Sequence, residues 1–312
     1  AGMDNQTEVR TFILLGLSNL QGLQKFLFAL FLLLYLSALL GNVAIVAVVA
    51  CEPRLRTPMY FFLCNLSCLD IFYATATVPK MLAAFLAGRP RGISYAGCLA
   101  QLHFFHFLGS SEALLLAVMA YDRLVAICEP LRYARLMSPR GCVLLAAATW
   151  ASGFLHALAH TLAASRLRFC GPDRLRHFFC DVKPLASLAC NDHRVNLGLL
   201  SVLTGTMVIG AFLFTLSSYV YIFSFLQLKI HSKEGRRKAF STCIAHLAVV
   251  ALLYVPVIAT YVPASSGSSP QRDMIAALMY NVATSVLNPL IYTLRNAEVK
   301  RALKRRLFPR EL

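Results

Sequence analysis

The chain has 312 residues, 58% of them hydrophobic and only 14% charged, with a formal net charge of +16. Soluble domains are about a quarter charged, so this composition excludes an ordinary water-soluble fold. The positive excess belongs at helix ends facing anionic lipid, so membrane lipids, not nucleic acid, are the expected partner.

The opening "AGMDNQTEVR" lacks the basic-then-apolar order of a signal peptide, so the first helix is expected to serve as an uncleaved signal. Asn5-Gln6-Thr7 is an N-glycosylation acceptor, and Asn5 is the expected glycan site. A second triplet, Asn65-Leu66-Ser67, falls inside an apolar run and is unusable. The strongest such run spans Phe26 to Ala50. Others start near Met59, Cys98, Gly141, Asn196, Ala239 and Arg272. Each approaches the roughly 20 residues a helix needs to cross a bilayer. Lipid offers the backbone no hydrogen bonds, so such runs must be helices.

The expected fold class is therefore an all-α membrane protein: a seven-transmembrane helix bundle ending in a short amphipathic C-terminal helix. Val299, Leu303 and Leu307 recur every four residues in the tail and suit a helix lying on the membrane. The expected division is an N-terminal segment (1–24), the helical domain (25–294) and a tail (295–312), with one long loop (165–195). No transporter-like internal repeat is present.

Arg54, Arg56, Arg132, Arg135, Arg140, Lys229, Lys233, Arg236, Arg237, Lys238 and the basic tail fall on one side of the seven spans. Arg166, Arg168, Arg174 and Arg176 fall on the other, so the bias is moderate. The positive-inside rule puts the C-terminus in the cytoplasm and the N-terminus outside, in agreement with a sugar on Asn5.

Of ten cysteines, Cys51, Cys64, Cys68, Cys128, Cys142 and Cys243 lie in spans or at cytoplasmic ends and read as small buried hydrophobes. Cys98, Cys170, Cys180 and Cys190 lie on the oxidising side. Four cysteines allow three pairings, and spacing does not choose among them. His177, Asp181 and His193 beside these cysteines could bind a metal. Disulfides are the simpler reading, and no metal is expected.

Five blocks in order, "GN" (Gly41-Asn42), "PMYFFLCNLSCLD" (Pro58 to Asp70), "MAYDRLVAICEPLRY" (Met119 to Tyr133), "KAFSTCIAHL" (Lys238 to Leu247) and "NPLIYTLRN" (Asn288 to Asn296), together with "HFFCD" in the long loop, carry a family resemblance. The chain resembles an olfactory receptor of the tetrapod (class II) type, among the rhodopsin-like G-protein-coupled receptors. It departs from the family at Leu124, where Tyr is usual, at Glu129, where His or Lys is usual, and at "LYVP" (Leu253 to Pro256), where Phe-Tyr-Gly is usual. These leave fold and ligand class alone and bear on the ease of activation and on G-protein contact.

The resemblance implies that Cys98 pairs with Cys180 and Cys170 with Cys190. It gathers Asn42, Asp70 and Asn288 in the bundle centre, with Glu112 across from Asp70 and Tyr292 nearby. Two adjacent carboxylates cannot both ionise without a cation, so one holds a proton or a sodium ion bridges them. This cluster reads as a switch core or, more plainly, as polar groups joining helices. Pro289 and Pro256 allow kinks about which helices pivot. Asp122-Arg123, at the end of a long apolar segment, reads as a latch: Asp122 and its neighbours hold Arg123 until the sixth helix swings out and a G protein takes its place. The plainer alternative is an interfacial arginine anchor.

In a receptor of this kind, small ligands bind between helices three, five, six and seven, under the long loop. The third helix would offer Leu102, Phe105, His106, Gly109 and Ser110, and the fourth His156 or His160. The fifth gives Leu203 and Met207, the sixth Tyr254, Val257, Ile258 and Tyr261, and the seventh Asn281. Such walls suit small hydrophobic molecules. Receptors for amines carry Asp where Phe105 stands, and the sixth helix lacks an Arg for a carboxylate, so neutral or weakly polar volatiles are expected. His103, His106, His156 and His160 could bind copper or zinc, but satisfied bundle histidines are the simpler reading.

The expected function is that of an odorant receptor in the plasma membrane of olfactory neuron cilia, activating the stimulatory (olfactory-type) G protein to raise cAMP. A channel or transporter would need a polar stripe or paired broken helices, and neither is visible. An enzyme is not expected, since neither a His-Glu-x-x-His zinc motif nor a Gly-x-Ser-x-Gly elbow occurs.

Overall fold

A computed structural model describes residues 10–17, 21–171, 173–229, 232–261, 270–295 and 297–307. Asn5 lies outside these residues. Seven long helices form the bundle: α1 (Gln24–Cys51), α2 (Pro58–Ala87), α3 (Tyr95–Cys128), α4 (Pro139–Ala164), α5 (Arg194–Lys229), α6 (Lys233–Tyr261) and α7, which runs through Pro270–Leu278, Met279–Ala283 and Thr284–Arg295. A short helix, α8 (Ala297–Leu307), follows. Each start lies within a few residues of the position expected from the apolar runs, α6 excepted, whose basic first turns extend it six residues earlier.

Local chemistry sets several boundaries. Pro58 opens α2 at its first position, where the missing N–H is no loss. Gly88, at φ +63°, closes it in the left-handed conformation glycine adopts without strain. The hydroxyl of Ser94 accepts from the Gly97 N–H at 3.1 Å and caps α3, and Ser138 caps α4 likewise through Gly141.

The helices are apolar outside as well as inside. Phe26, Leu33, Leu40, Leu144, Leu155, Leu213 and Leu228 all stand exposed, as side chains facing lipid would. Six of the seven helices are long and apolar enough on those grounds alone to cross a membrane. The remaining one, α3, contacts α2, α4, α5 and α6. Its Glu112, Ser110, Ser111 and Asp122 are buried.

Close approach is built with small residues. A Cβ on Gly153 of α4 would lie 2.8 Å from the Phe107 carbonyl and collide with the Ser111 hydroxyl on α3. On α1, a Cβ on Gly41 would meet the Pro289 ring of α7 at 3.1 Å. α8 is tied back to the bundle by the Tyr60 hydroxyl, which donates to Glu298 Oε2 at 2.8 Å.

One end of the bundle, termed the upper end, carries a three-stranded sheet that the apolar pattern did not suggest. Strand β1 (Thr11–Leu14) lies between β2 (Arg91–Ser94), antiparallel with Thr11 opposite Ser94, and β3 (Arg174–Leu175), parallel with Leu14 opposite Leu175. The segment before α1 is thus pinned to the α2–α3 connection and to the long loop. Phe12, wholly buried, packs edge-on against Phe169 at 4.9 Å. The long loop also holds a helical turn, Val182–Ala186.

Candidate ligand-binding site

Both disulfides join the expected partners, Cys98 with Cys180 and Cys170 with Cys190. The first ties α3 to the long loop and the second closes the loop on itself. Neither pair is available to a metal. The remaining six cysteines form no disulfide, with Cys142 and Cys243 buried.

The Cys98–Cys180 bridge draws the segment His177–Asp181 down onto the bundle, where every residue of it is buried. Gln101 fixes its height: Oε1 accepts from the Cys180 N–H at 3.0 Å, while Nε2 donates to the Ala76 carbonyl at 3.0 Å. Phe179 lies on Phe105 with ring centres 4.2 Å apart. Asp181 turns inward. Its Oδ1 accepts from His106 Nε2 at 3.0 Å and from the Val182 N–H at 2.7 Å, and its Oδ2 accepts from the Tyr261 hydroxyl at 2.8 Å. Tyr261 also meets the Tyr280 hydroxyl at 3.0 Å. Burial alone would raise the Asp181 pKa; the hydrogen bond and charge of His106, then His177 and Tyr261, together outweigh it and hold the carboxyl down at about 2. Lys183 reaches the Thr260 carbonyl at the top of α6. One loop segment thereby touches α3 and α6 through polar contacts.

Beneath this lid lies a partly open pocket with about 430 Å³ of non-atom space, open solvent included. Of the expected ligand residues, Phe105, His106, Gly109, Ser110, Met207, Tyr254, Val257 and Tyr261 line it. Leu102, Leu203, Ile258, Asn281 and His160 do not. Leu102 is fully buried one turn above, beside the lid. Asn281 is turned to α2, where its Oδ1 accepts from the Thr77 hydroxyl at 2.8 Å. Ile258 packs against the core from the neighbouring face of α6.

Two π-helical turns, Leu200–Thr204 in α5 and Met279–Ala283 in α7, lie beside the cavity. Thr204 lines it with Met207 and Val208, on one helical face next to Leu203, and Tyr280 lines it next to Asn281. Tyr73, Ala113, Val208 and Leu253 complete the wall; sequence spacing had not pointed to them. The lining is mostly aliphatic and aromatic, with hydroxyls and one imidazole. His156 and His160 sit just behind it on α4, bonded to Ser110 and Thr204.

Below the cavity is the polar cluster. Asn288 Nδ2 lies 3.2 and 3.1 Å from the two Asp70 oxygens and 3.3 Å from Glu112 Oε1. Asn42 Nδ2 donates to the Ser285 carbonyl at 2.9 Å, tying α1 to α7 above the Pro289 contact. Glu112 Oε2 and the Tyr292 hydroxyl are buried without a hydrogen-bond partner among the described residues. Asp70 and Glu112 thus meet at Asn288, while Asn42 joins the same helix through Ser285.

At the lower end the expected Asp122–Arg123 pairing takes another form. Asp122 Oδ1 accepts from the Tyr133 hydroxyl at 2.8 Å, and Arg123 Nη2 points to Met59 Sδ on α2. No ion pair joins the two neighbours among the described residues. Adjacent residues point to different faces of a helix, and each has found a partner on its own side. Further up, the Tyr219 hydroxyl of α5 meets His246 Nδ1 of α6 at 2.7 Å, and the Tyr254 hydroxyl donates to the Ala113 carbonyl of α3 at 2.7 Å.

Comparison with known proteins agrees with this architecture. The family described as "Olfactory receptor" matches residues 31–310. Olfactory receptor 12D1 of Homo sapiens is 56% identical, covering 99% of this chain and 98% of that protein. Olfactory receptor 12D3 of Homo sapiens is 53% identical over the same shares. Olfactory receptor 1G1 of Gorilla gorilla gorilla is 46% identical, with 99% and 98% covered. Among solved structures, squid rhodopsin superposes with a TM-score of 0.71 at 17% identity, covering 93% of this chain and 86% of that one, a likeness of fold. With a match that spans nearly the whole sequence and a rhodopsin-like bundle of seven helices, this chain belongs to the olfactory receptor family of G-protein-coupled receptors, multi-pass membrane proteins that are receptors rather than enzymes.

Proposed function

We propose that the protein is an odorant receptor that binds a small, mostly apolar volatile in the cavity beneath His177–Asp181 and activates the stimulatory, olfactory-type G protein to raise cAMP. The observation that carries this reading is the cavity itself, walled by α2, α3, α5, α6 and α7, with its His106 and Tyr261 tied to Asp181 of the disulfide-anchored loop. Its apolar walls favour aliphatic and aromatic ligands, and the hydroxyls of Ser110, Thr204 and Tyr254 favour a single weakly polar group. Asp181 is already satisfied by three donors, so it is not an open counter-ion for an amine.

In this reading the upper end faces outside, Asn5 carries a glycan, and the lower end meets the G protein in the plasma membrane of olfactory cilia. Disulfides at the upper end and basic residues at the lower end support that orientation. Arg123 gives up Met59, and Asp122 keeps Tyr133, as α6 moves outward. A sodium ion between Asp70 and Glu112 balances the two carboxylates, and the unpartnered Glu112 Oε2 supports it. Replacing sodium by choline should then change ligand affinity in the natural protein and not in Glu112→Gln.

The central test is a screen of a few hundred volatiles for cAMP output in cells with and without the stimulatory G protein α subunit. A volatile that raises cAMP only when the subunit is present supports the reading. A ligand-gated current in cells lacking it would replace the reading with a channel.

A further inference from the structure

Three imidazoles that the ligand cavity does not need stand together beside it. His106 comes from α3, His156 and His160 from successive turns of α4, and all three are buried. One ring nitrogen from each lies within 4.8 Å of one from each of the others. His156 Nε2 and His160 Nε2 are 3.2 Å apart, and the Thr204 hydroxyl of α5 is 3.1 Å from both. These three atoms form a nearly equilateral triangle of lone-pair donors.

Protons serve that triangle incompletely. A neutral imidazole has one N–H and a hydroxyl one O–H, so at most two protons fall on its three edges. A single cation at its centre would satisfy all three lone pairs. The dimensions suit a first-row divalent ion: with metal–nitrogen bonds of about 2.0–2.1 Å at a tetrahedral angle, two ligand nitrogens stand about 3.3 Å apart. The His156–His160 edge is already at that length. Only His106 has to close, by about 1.5 Å at most on the same geometry.

The surroundings of the imidazoles point the same way. Metal-bound histidines usually give their second nitrogen's N–H to a carboxylate, carbonyl or hydroxyl. In neutral His106 the Nε2–H meets Asp181 Oδ1 at 3.0 Å, and the Nδ1 lone pair is then the one available to an ion. His156 Nδ1 meets the Ser110 hydroxyl at 2.8 Å, which leaves its Nε2 for the same ion. Two of the three rings are thus oriented from behind by groups on α3 or the lid.

We propose that His106, His156 and His160 form a binding site for a zinc-class divalent ion, with Thr204 or a water as the fourth ligand. Imidazole suits zinc, copper and cobalt, whereas calcium and magnesium favour oxygen. An ion there would join α3, α4 and α5 at the depth of the cavity, whose wall includes His106, Ser110 and Thr204. The inference is independent of which volatile or G protein the receptor uses.

The test uses the full-length receptor in lipid nanodiscs, stripped with a chelator and titrated with Co2+ under visible absorption. The expected result is one Co2+ per receptor with intense low-coordinate d–d bands, displaced by one equivalent of Zn2+. His160→Ala should abolish the bands. His160→Cys, which keeps a ligand at the position, should retain them and add a sulfur-to-cobalt charge-transfer band. Asp181→Asn should weaken binding about 10-fold through His106. His103→Ala should not change it, because His103 bonds Thr161 outside the cluster. Absence of a stoichiometric Co2+ band in the natural protein, or a band undiminished in His160→Ala, would overturn the proposal and leave the trio as a hydrogen-bonded spacer.

Discussion

Replacing Asp181 with alanine tests whether the lid is held by its carboxylate. The side chain accepts three hydrogen bonds, from His106 at 3.0 Å, Tyr261 at 2.8 Å and the Val182 N–H at 2.7 Å. Hydrogen bonds to a charged group contribute about 1.5–3 kcal/mol each, and removing one member of a buried pair costs about 3–5 kcal/mol in all. The full sum of three does not apply, because Tyr261 keeps Tyr280 and His106 keeps its ring contacts. A net loss of about 3 kcal/mol is reasonable, which at about 2 °C per kcal/mol lowers the melting temperature by about 6 °C. Asp181→Asn should fall between: its oxygen still serves His106 and Val182, and the Tyr261 hydroxyl can turn to accept from the new amide. The assay is a thermal melt in nanodiscs followed by a thiol-reactive dye, since Cys142 and Cys243 are buried in the folded protein. An Asp181→Ala melt within about 2 °C of the natural protein would refute the account, because an exposed carboxylate contact costs up to about 1 kcal/mol, or about 2 °C.

The other expectations are briefer. Arg123→Ala should abolish ligand-driven cAMP while surface expression, read by antibody on intact cells, stays near normal; retained signalling would reduce Arg123 to an anchor. Tyr254→Phe removes the tie from α6 to the Ala113 carbonyl, so basal cAMP should rise about 5-fold for about 1 kcal/mol lost. Gly153→Ala drives a methyl into Phe107 and Ser111 across the α3–α4 contact, costing about 1–3 kcal/mol and lowering surface expression. Burial lowers the His177 pKa. A group held lower in the folded state contributes stability above its unfolded pKa and loses it as pH falls, so melting temperature should drop below about pH 6.5 and His177→Gln should flatten that drop.

Apolar run length located every long helix but α6 within a few residues, because a lipid-facing helix needs a continuous oily surface that sequence displays directly. The polar cluster around Asn288 was legible for a related reason: Asn42, Asp70 and Glu112 stand out in otherwise apolar segments. The disulfide pairing was not legible from spacing and came with the resemblance. Strand β1 could not be read from Thr11–Leu14 alone, since four residues form a strand only when two distant segments pair with them. Thr204 and Tyr280 are not legible because each sits one residue from an equally plausible neighbour, Leu203 or Asn281, and spacing alone does not choose between adjacent residues near an inward face. Asp181 was noted as part of a motif, but its inward turn depends on the Cys180 bridge and on Gln101 from α3. A latch of Asp122 and its neighbours on Arg123 is the reading the sequence suggests, whereas the helix sends Asp122 to Tyr133 and Arg123 to Met59.

The enclosed position of α3 has a consequence for how the receptor is made. A strand of chain bearing Glu112, Asp122 and Arg123 is a poor passenger in bare hydrocarbon, and it becomes comfortable only once α2, α4, α5 and α6 have gathered around it. Biogenesis then hinges on collective assembly, not on one helix inserting after another. Small flaws at the seams, such as a bulkier residue at Gly153, would strand the whole chain inside the cell, even where the odorant cavity itself is untouched.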